Sequence, residues 1–267
     1  MTERKCQTLL GILPEQGSCP RANALAARLG LPLLETAPDQ AGLYLRLGAS
    51  GLALCTAGRG APGPVYVTLD GGRQGRRLRQ ASLKREALAR ACGLRGNQPL
   101  RVVDATAGLG RDAFILAALG AEVALVERHP VIAALLADGL ERARHSHPAL
   151  AARLQLVEAE STTWLAGLAP ADRPEVICLD PMYPAGSTRG AVRKDLQALR
   201  DLPAWPEQDP VDEVELLRVA RACATRRVVV KRPGRAAPLG DLPPDWQLPG
   251  RSTRFDVYRG AGDPETA

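Results

Sequence analysis

From residue 100 onward the chain alternates short β-branched runs with amphipathic helical stretches, and no other feature restricts its fold as much. LRVVDATAG reads as a buried strand and RDAFILAALG as a helix closed by Gly120. AEVALVER is a second strand, followed by the helix PVIAALLADGLERARHS with proline at its start, where a missing amide does no harm. LQLVEAES is a third strand, leading into a short helix through Trp164 and Leu168, and EVICLD is a fourth. DPVDEVELLRVARACA is a helix with acids at its N-terminus and arginines toward its end, as the helix dipole favours. RRVVVKRP and TRFDVYRG are the last two strands. Strands joined through helices predict the α/β class and a parallel, doubly wound sheet. There are no internal repeats.

The remaining chain divides by composition. Residues 1–70 hold short apolar runs broken by Gly and Pro and predict a small α+β region. Within it, NALAARLGLPLL reads as a short helix ending near Gly30, and AGLYLRLGASGLALCTAG as two strands around a Gly-Ser turn. GPVYVTLD is another strand, with Val65, Val67 and Leu69 on one face. Residues 71–96 form a basic connecting segment: Arg73, Arg76, Arg77, Arg79, Lys84, Arg85, Arg90 and Arg95 stand against the single acid Glu86. Its second half has helical spacing through Leu83, Ala87, Leu88 and Ala91. It reads either as a solvated basic face or as a stripe that contacts phosphates. Residues 97–262 are the main domain and 263–267 a frayed tail. Aromatic residues are 3% of the chain and the hydrophobic total is 45%, so Leu, Ala and Val fill the core. The net charge of +6 favours anionic partners, nucleic acid first.

In a doubly wound sheet the ligand lies beyond the carboxyl ends of the strands. At the first end, Asp104 precedes Thr106, Gly108 and Gly110. Glycines there let backbone amides approach a ligand closely. Gly108, Gly110 and Ala113 also match the G-x-G-x-x-A of dinucleotide binders. An acid directly before the glycines repels a pyrophosphate and suits a ligand that brings an ammonium group. At the second end, Glu127 can accept both hydroxyls of a ribose, which fits an adenosine-containing methyl donor or NAD, and Arg128 either stacks beside the base or pairs with Glu127. At the third, Glu160 and Ser161 fall where an adenine amino group would be read, with Glu158 as competitor.

The fourth end, VICLDPMYPAG, sets a tyrosine between two prolines just after an acid. Neither proline can donate to a sheet ladder, so the strand stops there in a stiff corner. An exocyclic amine on a base is a poor nucleophile because its lone pair is delocalised into the ring. The Asp180 carboxylate and the Pro181 carbonyl can hold both amino hydrogens, direct the lone pair outward and stabilise the charge that develops. Tyr183 supplies a face for stacking the base.

Asp180-Pro181-Met182-Tyr183 resembles the (Asn/Asp/Ser)-Pro-Pro-(Tyr/Phe) signature of amino-group methyltransferases. Together, VVDATAGLGRDAFILAALGAEVALVERHPVIAALLADGL, LDPMYP, RRVVVKRP and RFDVYRG resemble the J-type small-subunit (16S) ribosomal RNA guanine-N2 methyltransferases of bacteria, from about Val65 to Gly260. The resemblance implies a Rossmann-like S-adenosyl-L-methionine-dependent methyltransferase fold with a small N-terminal α+β region, and a guanine N2 amine in small-subunit ribosomal RNA as acceptor. It places donor contacts on Arg111 and Asp112, on Glu127 and Arg128, on Glu160 and Ser161, and on Asp180. With the residues read above, the donor pocket comprises Asp104, Gly108, Gly110, Arg111, Asp112, Glu127, Arg128, Glu160, Ser161 and Asp180; Asp180, Pro181 and Tyr183 perform catalysis. Two positions depart from the family. Gln80, Ala81, Ser82 and Leu83 replace an aromatic followed by glycines, and Glu160 stands where serine is usual.

The acceptor partner is thus small-subunit ribosomal RNA or the ribosomal subunit, with no metal required. The six cysteines form no C-x-x-C pair, which indicates neither a zinc knuckle nor a redox pair; Cys178 and Cys223 read as buried small hydrophobes. No apolar run approaches the length of a membrane span and no signal peptide is evident, so a cytoplasmic location is expected. His145 and His147 read as helix-end cations, and Trp164, Trp205 and Trp246 as packing anchors, with base stacking a second role for Trp205. Arg189, Arg193, Lys194, Lys231 and Arg232 are candidate phosphate contacts. Other readings remain open: an adenine or cytosine amine as acceptor, an NAD-dependent oxidoreductase, or a non-catalytic RNA-binding protein.

Overall fold

The computed structural model describes residues 7–262 except 18, 70, 97, 182–193, 206–207, 209–211 and 251–252. Strand β1 (Leu9–Pro14) runs parallel to β2 (Leu43–Gly48), and helix α1 (Pro20–Leu29) lies between them in sequence. Gly30 ends α1 in the left-handed conformation, φ 60°, which glycine adopts without penalty. β2 pairs antiparallel with β3 (Gly51–Thr56) through a turn at Ala49 and Ser50, and β4 (Val65–Tyr66) completes a four-stranded sheet. Val65, Val67 and Leu69 are all buried, as their alternation predicts, yet only Val65 and Tyr66 pair as strand. β1 was not expected; Gly11 interrupts LLGILP, so neither period is clean.

The basic segment forms two helices, α2 (Gly72–Arg79) and α3 (Ala87–Cys92). Alternation then proceeds through β5 (Arg101–Asp104), α4 (Arg111–Ala118), β6 (Glu122–Glu127), α5 (Pro130–Ser146), α6 (Pro148–Ala151), β7 (Leu154–Glu158), α7 (Ser161–Ala166), β8 (Val176–Leu179), α8 (Lys194–Arg200), α9 (Glu213–Cys223), β9 (Arg227–Pro233), β10 (Trp246–Pro249) and β11 (Thr253–Arg259). The Asp212 side chain caps α9 by accepting from the amides of Val214 and Glu215, both at 3.0 Å. Glu213 and Glu215 follow in the first turn and Arg221 lies in the last.

The second sheet has seven strands in the order β10-β11-β9-β8-β5-β6-β7. β7, β6, β5, β8 and β9 are parallel, and strand order reverses at β5, from which the chain winds first toward β7 and later toward β9. The expectation of a purely parallel sheet needs correction: β11 is antiparallel to β9, and β10 to β11. The reason lies in the connection. A parallel pair requires a crossover, usually an α-helix; only residues 250–252 lie between β10 and β11, so β11 turns back against β10 and, lying beside β9, runs antiparallel to it as well.

Side-chain alternation places helices on both faces of this sheet. Val103, Ile177, Leu179, Val228 and Val230 pack in one cluster with Leu216, Leu217 and Ala220 of α9 and Leu165 of α7. Cys178, between Ile177 and Leu179, points the other way, where its Sγ lies 3.4 Å from the Sγ of Cys92 on α3. Burying a Leu, Val or Ile side chain contributes about 1.5–3 kcal/mol. Phe114 and Tyr258 are the bulkiest wholly buried side chains. The RFDVYRG segment has a packing role: Asp256, wholly buried, accepts from Arg254 at 2.7 and 3.0 Å and from Gln247 at 2.8 Å. Tyr258 donates to the Leu242 carbonyl at 3.1 Å.

The chain separates into two compact units. One comprises Met1–Thr68, His129–Arg142 and Gly190–Asp209; the other comprises Leu69–Arg128, Ala143–Arg189 and Pro210–Ala267. The first unit thus includes two stretches that the linear reading assigned to the main domain. Within it, buried Asp138 is held by Arg21 and by Arg142, the latter at 2.9 Å. His129 meets Trp205 edge to face at 5.7 Å between ring centres, so Trp205 serves packing there. The second unit contains the seven-stranded sheet and all the strand ends described next.

Candidate active site

The loop after β5 is tied to two neighbouring strand ends. The Asp104 Oδ1 accepts from the Thr106 amide at 3.2 Å, and Oε2 of Glu127, at the end of β6, accepts from the Gly108 amide at 3.0 Å. The Thr106 hydroxyl oxygen accepts from the Asp180 amide, just past β8, at 2.6 Å. Gly108 and Gly110 have φ of 53° and 70°, conformations that a Cβ disfavours. Among the described residues, a Cβ at Gly108 would meet nothing nearer than the Thr106 carbonyl at 3.9 Å, so no described group crowds that glycine.

A chain of alternating charges crosses the end of the sheet. Arg77 of α2 donates to Glu86 at 2.7 Å and to Asp112 at 2.6 Å. Lys231 of β9 donates to Asp112 Oδ2 and to Asp180 Oδ2, each at 2.8 Å. The Asp112 carboxyl is buried, which opposes its charge, but Lys231 and Arg77 together hold it well below the usual carboxylate range. Burial likewise opposes the Lys231 charge, and Asp112 and then Asp180 overcome it, holding the ammonium above its ordinary range. The Asp180 carboxyl is displaced upward, by burial first and by the charge of Asp112, with Lys231 working against both. Its side chain is still 47% exposed, against 20% for Asp112, so water screens Asp180 more effectively. Oδ1 of Asp180 has no partner among the described residues.

Asp104 is 6% exposed. Its carboxyl is pushed up to about 7, by burial first and then by the neighbouring Asp112 charge. No cationic side chain lies within hydrogen-bonding distance of it among the described residues. A buried carboxylate with no described cation of its own, beside a glycine loop that no described group crowds, fits a ligand that carries an ammonium group.

The other expected site residues divide. Gly108, Gly110, Arg111, Asp112, Glu127, Asp180 and Pro181 gather with Asp104 at this end of the sheet, Arg111 accepting through its carbonyl from Gln74 at 3.0 Å. Arg128 follows the end of β6 and is half-buried. Glu160 caps α7: its two carboxylate oxygens accept from the amides of Thr162 and Thr163 at 2.9 and 2.7 Å. Burial opposes that charge, but the two amides outweigh it and lower the carboxyl. The Ser161 hydroxyl donates to the Ala105 carbonyl at 2.6 Å, which joins the start of α7 to the loop after β5. Tyr183, Arg189 and Arg193 lie outside the described residues.

Three cations read as surface or phosphate-contacting groups are corrected. Arg77 turns inward to Glu86 and Asp112, and Arg232 is 7% exposed with its guanidinium on the Ala237 carbonyl. Lys231, read from sequence as a candidate phosphate contact, bridges two carboxylates. What reveals it is register: Leu179 pairs with Val230 across parallel strands, so the residues that follow, Asp180 and Lys231, fall side by side.

Comparison with known proteins agrees with this architecture. The family described as "Putative SAM-dependent methyltransferase" matches residues 24–260. A relative from Alkalilimnicola ehrlichii named "Ribosomal RNA small subunit methyltransferase J" is 71% identical over 98% of this chain and 100% of its own length. A protein of the same name from Thioalkalivibrio sulfidiphilus is 50% identical over 89% of this chain and 92% of its own. Among solved structures, an S-adenosylmethionine-dependent methyltransferase from Neisseria gonorrhoeae superposes with a TM-score of 0.73 at 31% identity, covering 96% of this chain and 98% of that one. The fold is therefore that of a Rossmann-like methyltransferase, with S-adenosylmethionine as cofactor. No helix among the described residues is long and apolar enough to cross a membrane, and no group of three or more His, Cys, Asp or Glu among them could hold a metal ion.

Proposed function

The chain belongs to the ribosomal RNA small subunit methyltransferase J family of S-adenosylmethionine-dependent enzymes, and from that premise we propose that it methylates the N2 amine of one guanine in small-subunit ribosomal RNA. The observation that carries this reading is the set of Asp180. Lys231 holds Oδ2 at 2.8 Å and Thr106 holds the backbone amide at 2.6 Å, which leaves Oδ1 as an acceptor, with the Pro181 carbonyl one residue further along the chain. A planar amine offers two hydrogens, and this pair of acceptors suits them.

S-adenosylmethionine, when bound, supplies an electrophilic methyl group. Asp104 receives its ammonium, the amides of the 105–110 loop approach it closely, and Glu127 accepts from its ribose hydroxyls. Glu160, Ser161 and Arg128 surround the adenine. Asp180 and Pro181 orient the guanine amine so that its lone pair points toward the donor, and Tyr183 stacks on the base. The nitrogen becomes positive as it is alkylated, and the Asp180 carboxylate offsets that charge. Once methylated, the nitrogen is acidic enough to release its proton without a strong base, so Asp180 needs to be ionised but not strongly basic.

The test incubates the protein with labelled S-adenosylmethionine and undermethylated small ribosomal subunits, digests the RNA and identifies the labelled nucleoside. N2-methylguanosine is expected. A labelled adenine or cytosine nucleoside, or no label in RNA, would overturn the acceptor assignment. Asp180→Ala should abolish labelling while donor affinity stays within about tenfold, about 1.4 kcal/mol.

A further inference from the structure

Residues 71–96 carry eight basic side chains and one acid, a net of +7 where the whole chain has +6, so the remaining residues together are slightly acidic. The structure sorts these charges. Arg77 is paired inward with Glu86 and Asp112, which removes the segment's one acid from its surface balance. Arg73, Arg76 and Arg79 are exposed, as are Lys84, Arg85, Arg90 and Arg95. On a helical wheel at 100° per residue, Gln74, Gly75, Arg77 and Leu78 share the inner face of α2, and Arg73, Arg76 and Arg79 share the outer one. None of these three guanidinium groups has a partner among the described residues. No acid occurs anywhere in α2, and Arg73 sits in its first turn, where a cation opposes the helix dipole. Arg76 and Arg79 lie in the last turn, where the dipole favours them, so the dipole accounts for two of the three outer arginines and not for Arg73.

We propose that the outer face of α2 docks the sugar-phosphate backbone of the RNA substrate. The inference rests on RNA being the acceptor, and it adds where the RNA is held. Arg73 and Arg79 are separated by about 9 Å along the helix, the axial length of two to three nucleotides at about 3.4 Å each. Phosphate contacts set register and leave the choice of base to the site. The inner face supplies the register: Arg77 grips Asp112 at 2.6 Å and the Gln74 side chain donates to the Arg111 carbonyl at 3.0 Å. Both partners lie in the first turn of α4, and Asp112 shares Lys231 with Asp180. RNA seated on α2 is thereby indexed to the corner that holds the amine.

The test compares wild type with Arg73→Gln/Arg76→Gln/Arg79→Gln and with a matched control, Arg28→Gln/Arg59→Gln/Arg153→Gln, three exposed arginines elsewhere. Binding to protein-free small-subunit RNA is measured across a salt series, with donor affinity and thermal midpoint taken in parallel. The α2 variant should bind at least tenfold more weakly at about 0.1 M salt, and its log–log salt slope should shrink by about 2 to 3 for three lost phosphate contacts. Donor affinity and midpoint should be unchanged, and the control should bind as wild type does. An unchanged slope in the α2 variant, or an equal loss in the control, overturns the proposal. So does normal binding of protein-free RNA combined with lost binding of the assembled subunit, which would mean that the face meets a ribosomal protein. Failure of the wild type to label RNA would count against the acceptor reading alone, since binding and labelling are scored separately.

Discussion

Replacing Lys231 with methionine keeps most of the side chain's length and removes its charge. Two charge-assisted hydrogen bonds disappear, each at 2.8 Å, one to Asp112 and one to Asp180. Such bonds contribute about 1.5–3 kcal/mol each. The Asp180 side chain is 47% exposed, so the lower end applies to its orientation, about 1.5 kcal/mol, or roughly a tenfold fall in kcat. Asp112 keeps Arg77 at 2.6 Å, so the fold should lose only about 1–2 kcal/mol and the midpoint about 2–4 °C for each kcal/mol. Single-turnover transfer of labelled methyl to RNA reads the chemical step, and calorimetric titration reads donor affinity, which should stay within about threefold. A pH profile separates positioning from general damage. Lys231 lowers the Asp180 carboxyl against burial and Asp112; without it that carboxyl rises further. Activity requires the carboxylate and is lost as pH falls through its pKa, so the acid limb should move to higher pH. Lys231→Arg, which retains the charge, should recover part of kcat. Wild-type kcat in the methionine variant, or a donor affinity that falls as far as kcat, would refute the assignment.

Two further outcomes follow from the carboxylates. Asp104 has its folded pKa raised to about 7, above the ordinary unfolded value, so the folded protein without donor holds a proton that the unfolded chain releases. Its stability should therefore fall as pH rises from about 4 to about 7, by up to about 4 kcal/mol at about 1.4 kcal/mol per unit. Asp104→Asn should flatten that slope in a thermal-melt series, and if Asp104 receives the donor's ammonium, wild-type donor affinity should weaken about tenfold per unit below that pH while the variant's stays level. Glu160→Ala removes both capping bonds to α7 and should cost about 1 kcal/mol, read by denaturant unfolding. Glu160→Ser retains a capping oxygen and should cost less; because Glu160 is also placed at the adenine, donor affinity should fall in Glu160→Ala as well, and unchanged affinity would leave that carboxylate a cap alone.

Local chemistry made much of this protein legible from its residues alone. Continuous apolar runs and amphipathic stretches located β5 through β9 and helices α4, α5, α7 and α9, but not α6 or α8, because strands covered on both faces bury nearly every side chain while such helices bury one stripe. Gly30 marked the end of α1 because its backbone freedom acts within a few residues, and the run of acids marked the start of α9, although its capping residue, Asp212, was not singled out. The four strand-end motifs could be placed at one edge because parallel crossovers put all carboxyl ends together.

What only the tertiary structure decided are the partnerships between residues distant in sequence. β11 reverses because only three residues join it to β10, and its place between β9 and β10 is a matter of pairing. Arg77 and Lys231 look like their neighbours Arg76 and Arg232 in a string of letters. One rotation around α2 takes Arg77 to Asp112, and one register between β8 and β9 sets Lys231 against Asp180. Composition and period specify which side chains leave water, but a charge finds its partner by distance, and distances across a sheet exist only once the strands have paired.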